Sequence, residues 1–226
     1  MKTFHKYSIF NLQFSITPLF TLLAFAAIIA SAAASEAQTW HTVRWVNDGD
    51  TVVLTTGQRV RYIGLNAPEI DHADQKAQPH GYRSRSFNRD LVMSKQIRLE
   101  YDAERYDRYG RLLAYVFIED GSFLNARLLR EGMAFYLYHP TNVKYDQCLL
   151  KAQQEAMELK KGLWRNWRDK AQEFIGNRHS RRFHLASCPL VAKIKSKNKV
   201  QFSSKWDAFQ QGYAPSKKCI REFWSY

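Results

Sequence analysis

Three short runs of β-branched and aromatic residues follow one another closely after residue 38, and they limit the fold more than any other feature. The runs cover residues 39–46, 51–54 and 58–64, and the connections between them contain Asp48-Gly49 and Thr56-Gly57. Asp-Gly and related pairs between such runs are typical of tight hairpin turns. The sequence therefore predicts an antiparallel β-meander.

Two more strands and three helices complete the predicted core domain. The strands cover residues 97–101 and 112–118, and the helices cover residues 81–93, 124–131 and 145–161. Gly132 and Gly162 end the last two helices, at the position where a left-handed cap favours glycine. Because the strands are consecutive and the second half is rich in helix, we predict the α+β class, with a small five-stranded barrel and packed helices.

The helix at residues 145–161 has its apolar side chains at helical spacing. They are Tyr145, Cys148, Leu149, Ala152, Ala156 and Leu159. We expect this stripe to pack on the barrel, and we expect Cys148 to be buried there as a small hydrophobic residue.

The first 37 residues have the features of a secretion signal. A weakly basic start precedes an apolar run at residues 19–30, and residues 32–34 and 35–37 both meet the small-x-small rule for cleavage. We predict a signal peptide at residues 1–37, cleaved after Ala37, and therefore a secreted or periplasmic protein. The alternative is an uncleaved anchor over residues 16–34, and only in that case would the protein contact a membrane.

The remaining chain divides by composition into three parts. These are a core domain at residues 38–168, a basic linker at 169–182 and a small Lys-rich α/β module at 183–226. The module is too short to be stable on apolar burial alone. We therefore expect a disulfide, a metal or docking on the barrel to stabilise it.

The charge balance favours a polyanionic partner. Lys and Arg outnumber Asp and Glu by 34 to 21, which gives a formal net charge of +13. Binding to phosphates releases the counterions condensed on nucleic acid, so a basic protein gains affinity for it. The alternative is that the charge only keeps the protein soluble or on anionic surfaces.

Three polar segments contain the residues suited to phosphodiester chemistry. They are DGDT at 48–51, RYIGLNAPE at 61–69 and DRYGR at 107–111. Phosphodiester hydrolysis needs positive charge at the phosphate oxygens, a Lewis acid and a group that orients and deprotonates water. Arg61 and Arg111 can supply the charge, because a planar guanidinium matches phosphate oxygens, and Glu69 can supply the carboxylate.

In these segments the chain resembles the staphylococcal nuclease family, over about residues 40–165. The order of the motifs and the eight-residue step from Arg61 to Glu69 match the family pattern. The resemblance implies an OB-fold barrel that uses Ca²⁺ to cleave DNA and RNA by 5′ P–O cleavage, leaving 3′-phosphate ends. It also implies that Arg61 and Arg111 bind the scissile phosphate, and that Glu69 is the general base or orients the water.

The same resemblance assigns the metal and substrate residues. It implies Asp50 as a Ca²⁺ ligand, with Asn66 and the backbone carbonyl of Ala67 in two further ligand positions. Asn66 stands where the staphylococcal enzyme has an aspartate, so one negative charge is lost and weaker Ca²⁺ binding is expected. The residues expected to bind substrate are Arg108, Tyr109, Tyr136 and Tyr138.

The C-terminal module resembles, less strongly, the small zinc-binding domain of Ada-type DNA repair proteins. FHLASCP at 183–189, NKVQF at 198–202 and GYAPSKKC at 212–219 carry the resemblance. It implies His184, Cys188 and Cys219 as Zn²⁺ ligands, with Ser216 where a third cysteine is expected, so the tetrahedral set is incomplete. We favour the alternative, a disulfide between Cys188 and Cys219 in an oxidising compartment. His184 would then be an ordinary surface histidine.

The sequence as a whole predicts an exported, Ca²⁺-dependent endonuclease that acts on DNA and RNA with little sequence or sugar specificity. The alternative is a catalytically silent OB-fold protein that binds nucleic acid. Silent copies should lack one of the four catalytic-set residues, and this chain keeps Asp50, Arg61, Glu69 and Arg111. A third hypothesis, supported by the signal segment and the basic tail, is a surface protein that attaches DNA without cutting it. No protein partner is implied.

Overall fold

The structure is a computed structural model that describes residues 39–71, 76–169 and 172–220. The predicted signal peptide lies outside these residues. The strands, in chain order, are β1 (Trp40–Val46), β2 (Thr51–Leu54), β3 (Arg59–Tyr62), β4 (Leu65–Asn66), β5 (Gln96–Glu100), β6 (Leu112–Ile118), β7 (Phe135–Tyr136), β8 (Phe174–Asn177), β9 (Arg182–Leu185), β10 (Lys199–Phe202) and β11 (Ala214–Pro215). The α-helices are α1 (Gly81–Val92), α2 (Leu124–Arg130), α3 (Asp146–Glu158) and α4 (Lys205–Gln210).

Five strands close into a barrel in the order β1-β2-β3-β6-β5. Neighbouring strands are antiparallel except β3 and β6, which run parallel with Val60 opposite Leu112. The closed five-stranded barrel predicted from the meander and the two later strands is therefore confirmed. Apolar side chains fill its interior, among them Val46, Val52, Val60, Ile97 and Val116.

A short two-stranded ladder lies beside the barrel and fixes the position of the segment that follows β3. In this ladder β4 pairs with β7, so that Leu65 lies opposite Tyr136 and Asn66 opposite Phe135. The pairing holds Asn66 in a buried position next to the barrel. The first residue of the loop after Asn66 is therefore held in place by this ladder.

Helix α3 packs on the barrel through a stripe that differs from the predicted one. Its buried residues are Leu149, Ala152, Gln153, Ala156 and Met157. Cys148 is exposed, and Leu159, just beyond the helix, is 64% exposed, so their predicted burial is wrong. The stripe is displaced because Gln153 is drawn inward. Its Oε1 accepts a hydrogen bond from the Tyr136 N–H at 2.6 Å, and its Nε2 donates to the Phe209 carbonyl oxygen at 2.7 Å.

The C-terminal residues form a second, four-stranded sheet in the order β10-β8-β9-β11. This sheet contains β8, which lies inside the range 169–182 that was predicted to be a linker. Burial explains the difference, because Phe174 of β8 packs against Phe183 of β9, with ring centroids 5.5 Å apart. The module therefore begins before residue 183.

The C-terminal sheet is docked on the barrel domain by a shared aromatic cluster. Phe135 of β7 contacts Phe209 of α4, with 5.5 Å between ring centroids, and Trp164 contacts the same phenylalanine at 5.2 Å. Both parts belong to one compact unit. Among the described residues, no helix combines the length and the apolar character needed to span a membrane.

Candidate active site

A cavity of about 390 Å³ is formed where the β1–β2 turn, β3, the loop after β4 and the loop before β6 meet. The residues that line it are Asp48, Arg59, Arg61, Asn66, Glu69, Tyr109, Arg111 and Lys217. The three residues predicted to be catalytic, Arg61, Glu69 and Arg111, therefore face one cavity.

The turn between β1 and β2 is held by hydrogen bonds and by close packing. Asp48 Oδ1 accepts a hydrogen bond from the Asp50 N–H at 2.9 Å. A Cβ atom at Gly49 would lie 2.5 Å from the Cβ of Ala67 and 2.7 Å from that of Ser84, which is closer than side-chain carbons can approach. Glycine at this position therefore lets Asp50 lie directly beside Ala67.

The three predicted metal ligands are in contact with one another. Asp50 Oδ2 accepts a hydrogen bond from the Ala67 N–H at 2.6 Å. Asn66 Nδ2 donates to the Ala67 carbonyl oxygen at 3.0 Å. Asp50 and Asn66 are both buried. The structure thus brings a carboxylate, a side-chain amide and a backbone carbonyl together, and of these three residues Asn66 lines the cavity.

These oxygens have the chemistry that suits a hard divalent cation. Ca²⁺ and Mg²⁺ take carboxylate, amide and carbonyl oxygens as ligands. The group already stabilises positive charge, because Arg61 forms an ion pair with Asp50 and donates from Nη2 to Asn66 Oδ1 at 2.9 Å. The residues present therefore have the donor chemistry of a site for a hard divalent cation.

Arg61, on β3, is a nearly buried cation. Nη2 also donates to the Leu65 carbonyl oxygen at 3.1 Å, which anchors the guanidinium against the ladder. Burial lowers the pKa of Arg61 to about 10, with the charge of Asp48 opposing the shift, so the group stays charged at neutral pH. Its charge also interacts with those of Arg111 and Glu69. Arg61 is therefore a fixed positive charge at the centre of the predicted catalytic set.

Asp48 is a second buried carboxyl group beside Arg61. Burial raises the pKa of Asp48, while the charge of Arg61 and a hydrogen bond from Thr51 oppose this effect. Because desolvation dominates, the charged form of Asp48 is costly and depends on the neighbouring arginine.

Arg111 is oriented by an acidic residue of its own turn. Its Nε and Nη2 both lie 2.7 Å from Asp107 Oδ2, and Asp107 Oδ1 accepts the N–H groups of Tyr109 and Arg111. Although burial raises the pKa of Asp107, the hydrogen bonds from Arg111 and Tyr109 lower it below its ordinary value. The ionised Asp107 therefore holds Arg111 in place, with Nη1 3.5 Å from Thr51 Oγ1.

Glu69 lies in the loop after β4, and its backbone is anchored while its side chain stays accessible. The Glu69 N–H donates to Gln78 Oε1 at 3.0 Å, and the Glu69 carbonyl oxygen accepts the Gln78 N–H at 2.9 Å. A Cβ at Gly81, the first residue of α1, would lie 2.3 Å from that carbonyl oxygen, so α1 can begin there only with glycine. The Glu69 side chain is 30% exposed, which leaves the carboxylate open to water.

Two further cations, Arg59 and Lys217, line the cavity, and neither was predicted as a site residue. Arg59 donates from Nη2 to the Tyr109 carbonyl oxygen at 3.2 Å, and Lys217 Nζ lies 3.4 Å from Glu69 Oε1. The alternation of side chains along a strand places Arg59 on the same face as Arg61, so this residue could have been found. No local pattern indicates Lys217, which is 148 residues from Glu69 in sequence.

Of the four predicted substrate-binding residues, Tyr109 lines the cavity and Arg108 lies beside it. Tyr109 is exposed and lines the cavity. Arg108 donates from Nη2 to the Tyr109 hydroxyl at 2.7 Å and lines a neighbouring groove.

The other two tyrosines lie elsewhere. Tyr136 is 1% exposed, because the pairing of β7 with β4 directs its side chain into the core, and burial raises its pKa. The prediction that Tyr136 contacts substrate is therefore wrong. Tyr138 is half-buried beneath the Arg181 guanidinium, which lies 4.9 Å from the ring centroid, and it does not line the cavity.

The C-terminal sheet contains a cysteine pair beside a histidine. Cys188 and Cys219 form a disulfide, and His184 Nδ1 lies 3.4 Å from Cys219 Sγ and 3.8 Å from Cys188 Sγ. His184 is buried, which lowers its pKa, so it is not the surface histidine that the disulfide alternative implied. Sulfurs bonded to each other cannot serve as thiolate ligands, and the residues in this form do not fit Zn²⁺.

Comparisons with known proteins agree with this geometry. The family model described as "Staphylococcal nuclease homologue" matches residues 59–166. A thermonuclease of Staphylococcus hyicus is 38% identical over 132 residues, which is 57% of this chain and 77% of that protein. A thermonuclease of Staphylococcus intermedius is 37% identical over 127 residues, covering 55% and 75%. The endonuclease YncB of Bacillus subtilis is 40% identical over 123 residues, covering 52% and 57%.

The matched residues include β3, the loop with Glu69 and the turn with Arg111, which are the parts that form the cavity. The barrel order, the cavity and the similarity along the chain lead to one conclusion, that this protein belongs to the staphylococcal nuclease family.

Proposed function

We propose that this protein is an exported endonuclease that hydrolyses phosphodiester bonds of DNA and RNA with Ca²⁺ as its cofactor. One observation carries the proposal: Arg61, Arg111 and Glu69 face the same cavity, next to the clustered oxygens of Asp50 and Asn66. The names of the relatives, thermonuclease and endonuclease, describe chemistry of this kind.

The two arginines bind the scissile phosphate. A guanidinium donates two parallel hydrogen bonds to phosphate oxygens and keeps its charge throughout the reaction. The negative charge that develops on these oxygens strengthens the attraction in the transition state, which is the condition for catalysis. Both groups are preorganised, Arg61 by its contacts with Leu65 and Asn66 and Arg111 by Asp107.

Glu69 orients and deprotonates the attacking water. The water oxygen bonds to phosphorus as the P–O5′ bond breaks, and one water proton passes to Glu69. The leaving O5′ takes up a proton from solvent, and Glu69 later returns its proton to solvent. The products are a 3′-phosphate and a 5′-hydroxyl. The exposure of the Glu69 side chain supports this role, because the carboxylate must meet water in the cavity.

A bound Ca²⁺ supplies Lewis-acid chemistry at the phosphate. Asp50, Asn66 and the carbonyl of Ala67 would hold it, because their hard oxygens cluster around Asn66, which lines the cavity. The single carboxylate among them leads us to propose weaker binding than a site with two carboxylates would give.

The lining of the cavity supports low sequence specificity. Arginines contact phosphates, and such contacts carry no direct information about the base. The exposed ring of Tyr109 offers a surface on which any base can stack.

The proposal is tested by digesting plasmid DNA and RNA with Ca²⁺, with a chelator, and with the Glu69→Gln variant. We expect cleavage with Ca²⁺, loss of cleavage with chelator, and a rate about 10²- to 10⁴-fold lower for Glu69→Gln. Glu119→Gln removes an exposed carboxylate elsewhere and serves as the matched control, with an unchanged rate. Binding without cleavage at any Ca²⁺ concentration would instead identify a silent nucleic-acid-binding protein.

Export is tested separately. The mature protein is expected in the medium or periplasm, with Gln38 as its first residue. Recovery of the full-length chain from the membrane fraction would show that residues 1–37 anchor the protein.

A further inference from the structure

A second groove, of about 370 Å³, lies beside the catalytic cavity and between the barrel domain and the C-terminal sheet. It shares Asn66 and Lys217 with that cavity, so the two form a continuous surface. The described residues that line it include four cations and no carboxylate. Arg108 comes from the barrel domain, and Arg182, Lys217 and Lys218 come from the C-terminal module. The groove therefore has the charge of an anion-binding site.

Arg182 gives this charge a half-buried component. Its Nη2 donates to the Tyr138 carbonyl oxygen at 3.2 Å, and its Nη1 donates to the carbonyl oxygens of Ser180 at 3.1 Å and Arg181 at 3.3 Å. These partners are neutral, and burial lowers the pKa of Arg182. Partial withdrawal of this charge from water is costly when the described residues in contact with it carry no counter-charge. An anion in the groove would offset that cost.

The two lysines are carried by a segment that is fixed to the sheet. The Ser216 N–H donates to the Phe183 carbonyl oxygen at 2.9 Å, and Cys219 is bonded to Cys188. The segment therefore keeps Lys217 and Lys218 at the mouth of the groove. Lys217 Nζ, 3.4 Å from Glu69 Oε1, marks the point where the groove meets the catalytic cavity.

Apolar side chains line the rest of the groove. They belong to Leu137, which is half-buried, and to Phe135 and Pro215, which are buried and expose little surface. Cations beside an apolar surface are the combination that binds a single strand of nucleic acid, since the strand presents phosphates and the flat faces of bases and sugars.

We propose that this groove binds the nucleotide next to the scissile phosphate, with its phosphate on Lys217, Lys218 and Arg108 and its base or sugar on the apolar side. The C-terminal module is then part of the substrate-binding surface. The inference rests on the proposed function, because the strand enters from the catalytic cavity. The match to the family model ends at residue 166, so the module's part of this subsite, with Arg182, Lys217 and Lys218, lies outside the matched region, while Arg108 lies inside it.

The test measures binding of a fluorescently labelled single-stranded DNA 12-mer, by anisotropy, across a series of salt concentrations. Chelator is present so that the strand stays intact. Each phosphate contact on a single strand contributes about 0.7 to the slope of log affinity against log salt. Because the two lysines share one phosphate, we expect the slope to fall in magnitude by about 0.7 for the double variant Lys217→Gln/Lys218→Gln.

A matched control removes two positive charges from the same module but outside the groove. Lys195 and Lys197 are exposed and line neither cavity, so Lys195→Gln/Lys197→Gln should leave the slope unchanged. Lys217→Arg/Lys218→Arg keeps the charges and should retain the parent slope. An equal fall in both glutamine double variants, or no fall in either, would overturn the proposal.

Kinetics separate this subsite from the catalytic centre. Lys218 lines the groove but not the catalytic cavity, so Lys218→Gln should raise KM for the 12-mer and leave kcat close to the parent value. A fall in kcat with unchanged KM would contradict the subsite. If the parent protein fails to cleave with Ca²⁺, the proposed function is wrong, and the salt slopes still decide whether the groove binds nucleic acid.

Discussion

Replacing Asn66 by aspartate adds a second carboxylate to the proposed Ca²⁺ site. Asn66 is 7% exposed, so the new charge would be shielded little by solvent. Its side chain lies between Arg61 Nη2, 2.9 Å from Oδ1, and the Ala67 carbonyl oxygen, 3.0 Å from Nδ2. The new carboxylate would therefore lie among the atoms that we expect to hold the cation.

The expected gain in Ca²⁺ binding free energy is the attraction between the new carboxylate and the cation, less the costs of placing a carboxylate at this position. At an effective dielectric constant of about 20, unit charges about 4 Å apart attract by about 4 kcal/mol, which a divalent cation doubles to about 8 kcal/mol. Desolvation of the carboxylate costs several kcal/mol, its pairing with Arg61 competes with the cation, and the hydrogen bond to Ala67 is lost. We expect a net gain of about 1.4 to 2.8 kcal/mol, which corresponds to about tenfold to hundredfold tighter binding.

The assay is the initial rate of plasmid cleavage as a function of free Ca²⁺, together with calorimetric titration of the protein with Ca²⁺. Asn66→Asp should lower the half-maximal concentration about tenfold or more. Gln96→Glu, which adds the same charge at an exposed position of β5, is the control and should leave it unchanged. An unchanged or higher midpoint in Asn66→Asp, or an equal decrease in the control, would refute the reasoning.

Three further predictions concern stability. Gly49→Ala should lower the free energy of unfolding by about 1 to 3 kcal/mol, because the new Cβ would lie 2.5 Å from that of Ala67; an unchanged thermal midpoint would contradict this. Reduction of the Cys188–Cys219 bond, which spans 31 residues, should cost about 3 to 4 kcal/mol in denaturant unfolding, and equal curves with and without reductant would disprove it. Because burial raises the pKa of Asp48, its contribution to stability is complete below the ordinary value of 3.8 and is lost as the pH rises through the raised pKa. Asp48→Asn should therefore lose less stability than the parent between about pH 4 and pH 7 in urea unfolding, and parallel losses would count against a raised pKa.

The barrel and its motifs could be predicted because their signals are local. Alternating β-branched residues and Asp-Gly turns indicate strands within a few residues of where they act. The step from Arg61 to Glu69 spans a short segment of one strand, one ladder and one loop, so its spacing is visible in the sequence. The structure places both residues in one cavity with Arg111.

The wrong predictions concern residues whose burial depends on partners that are distant in the sequence. Gln153 is polar, yet it is buried on α3 because β7 and α4 supply its hydrogen-bond partners, and this displaces the apolar stripe away from Cys148. The family resemblance predicted that Tyr136 binds substrate, but its pairing with Leu65 turns the side chain into the core. The periodicity of apolar residues along a helix or strand predicts neither the burial of Gln153 nor that of Tyr136.

The sequence by itself determined the class of fold, because residue type and short spacing indicate the strands and turns. Its resemblance to the family pointed to the proposed catalytic residues and to Asn66 as a proposed metal ligand. Only the tertiary structure decided that the C-terminal module docks on the barrel and brings Lys217 to Glu69. The physical reason is that aromatic packing between Phe135 and Phe209 and the buried hydrogen bonds of Gln153 join segments far apart in the chain. Contacts of that kind arise from the whole fold, and no short stretch of sequence specifies them.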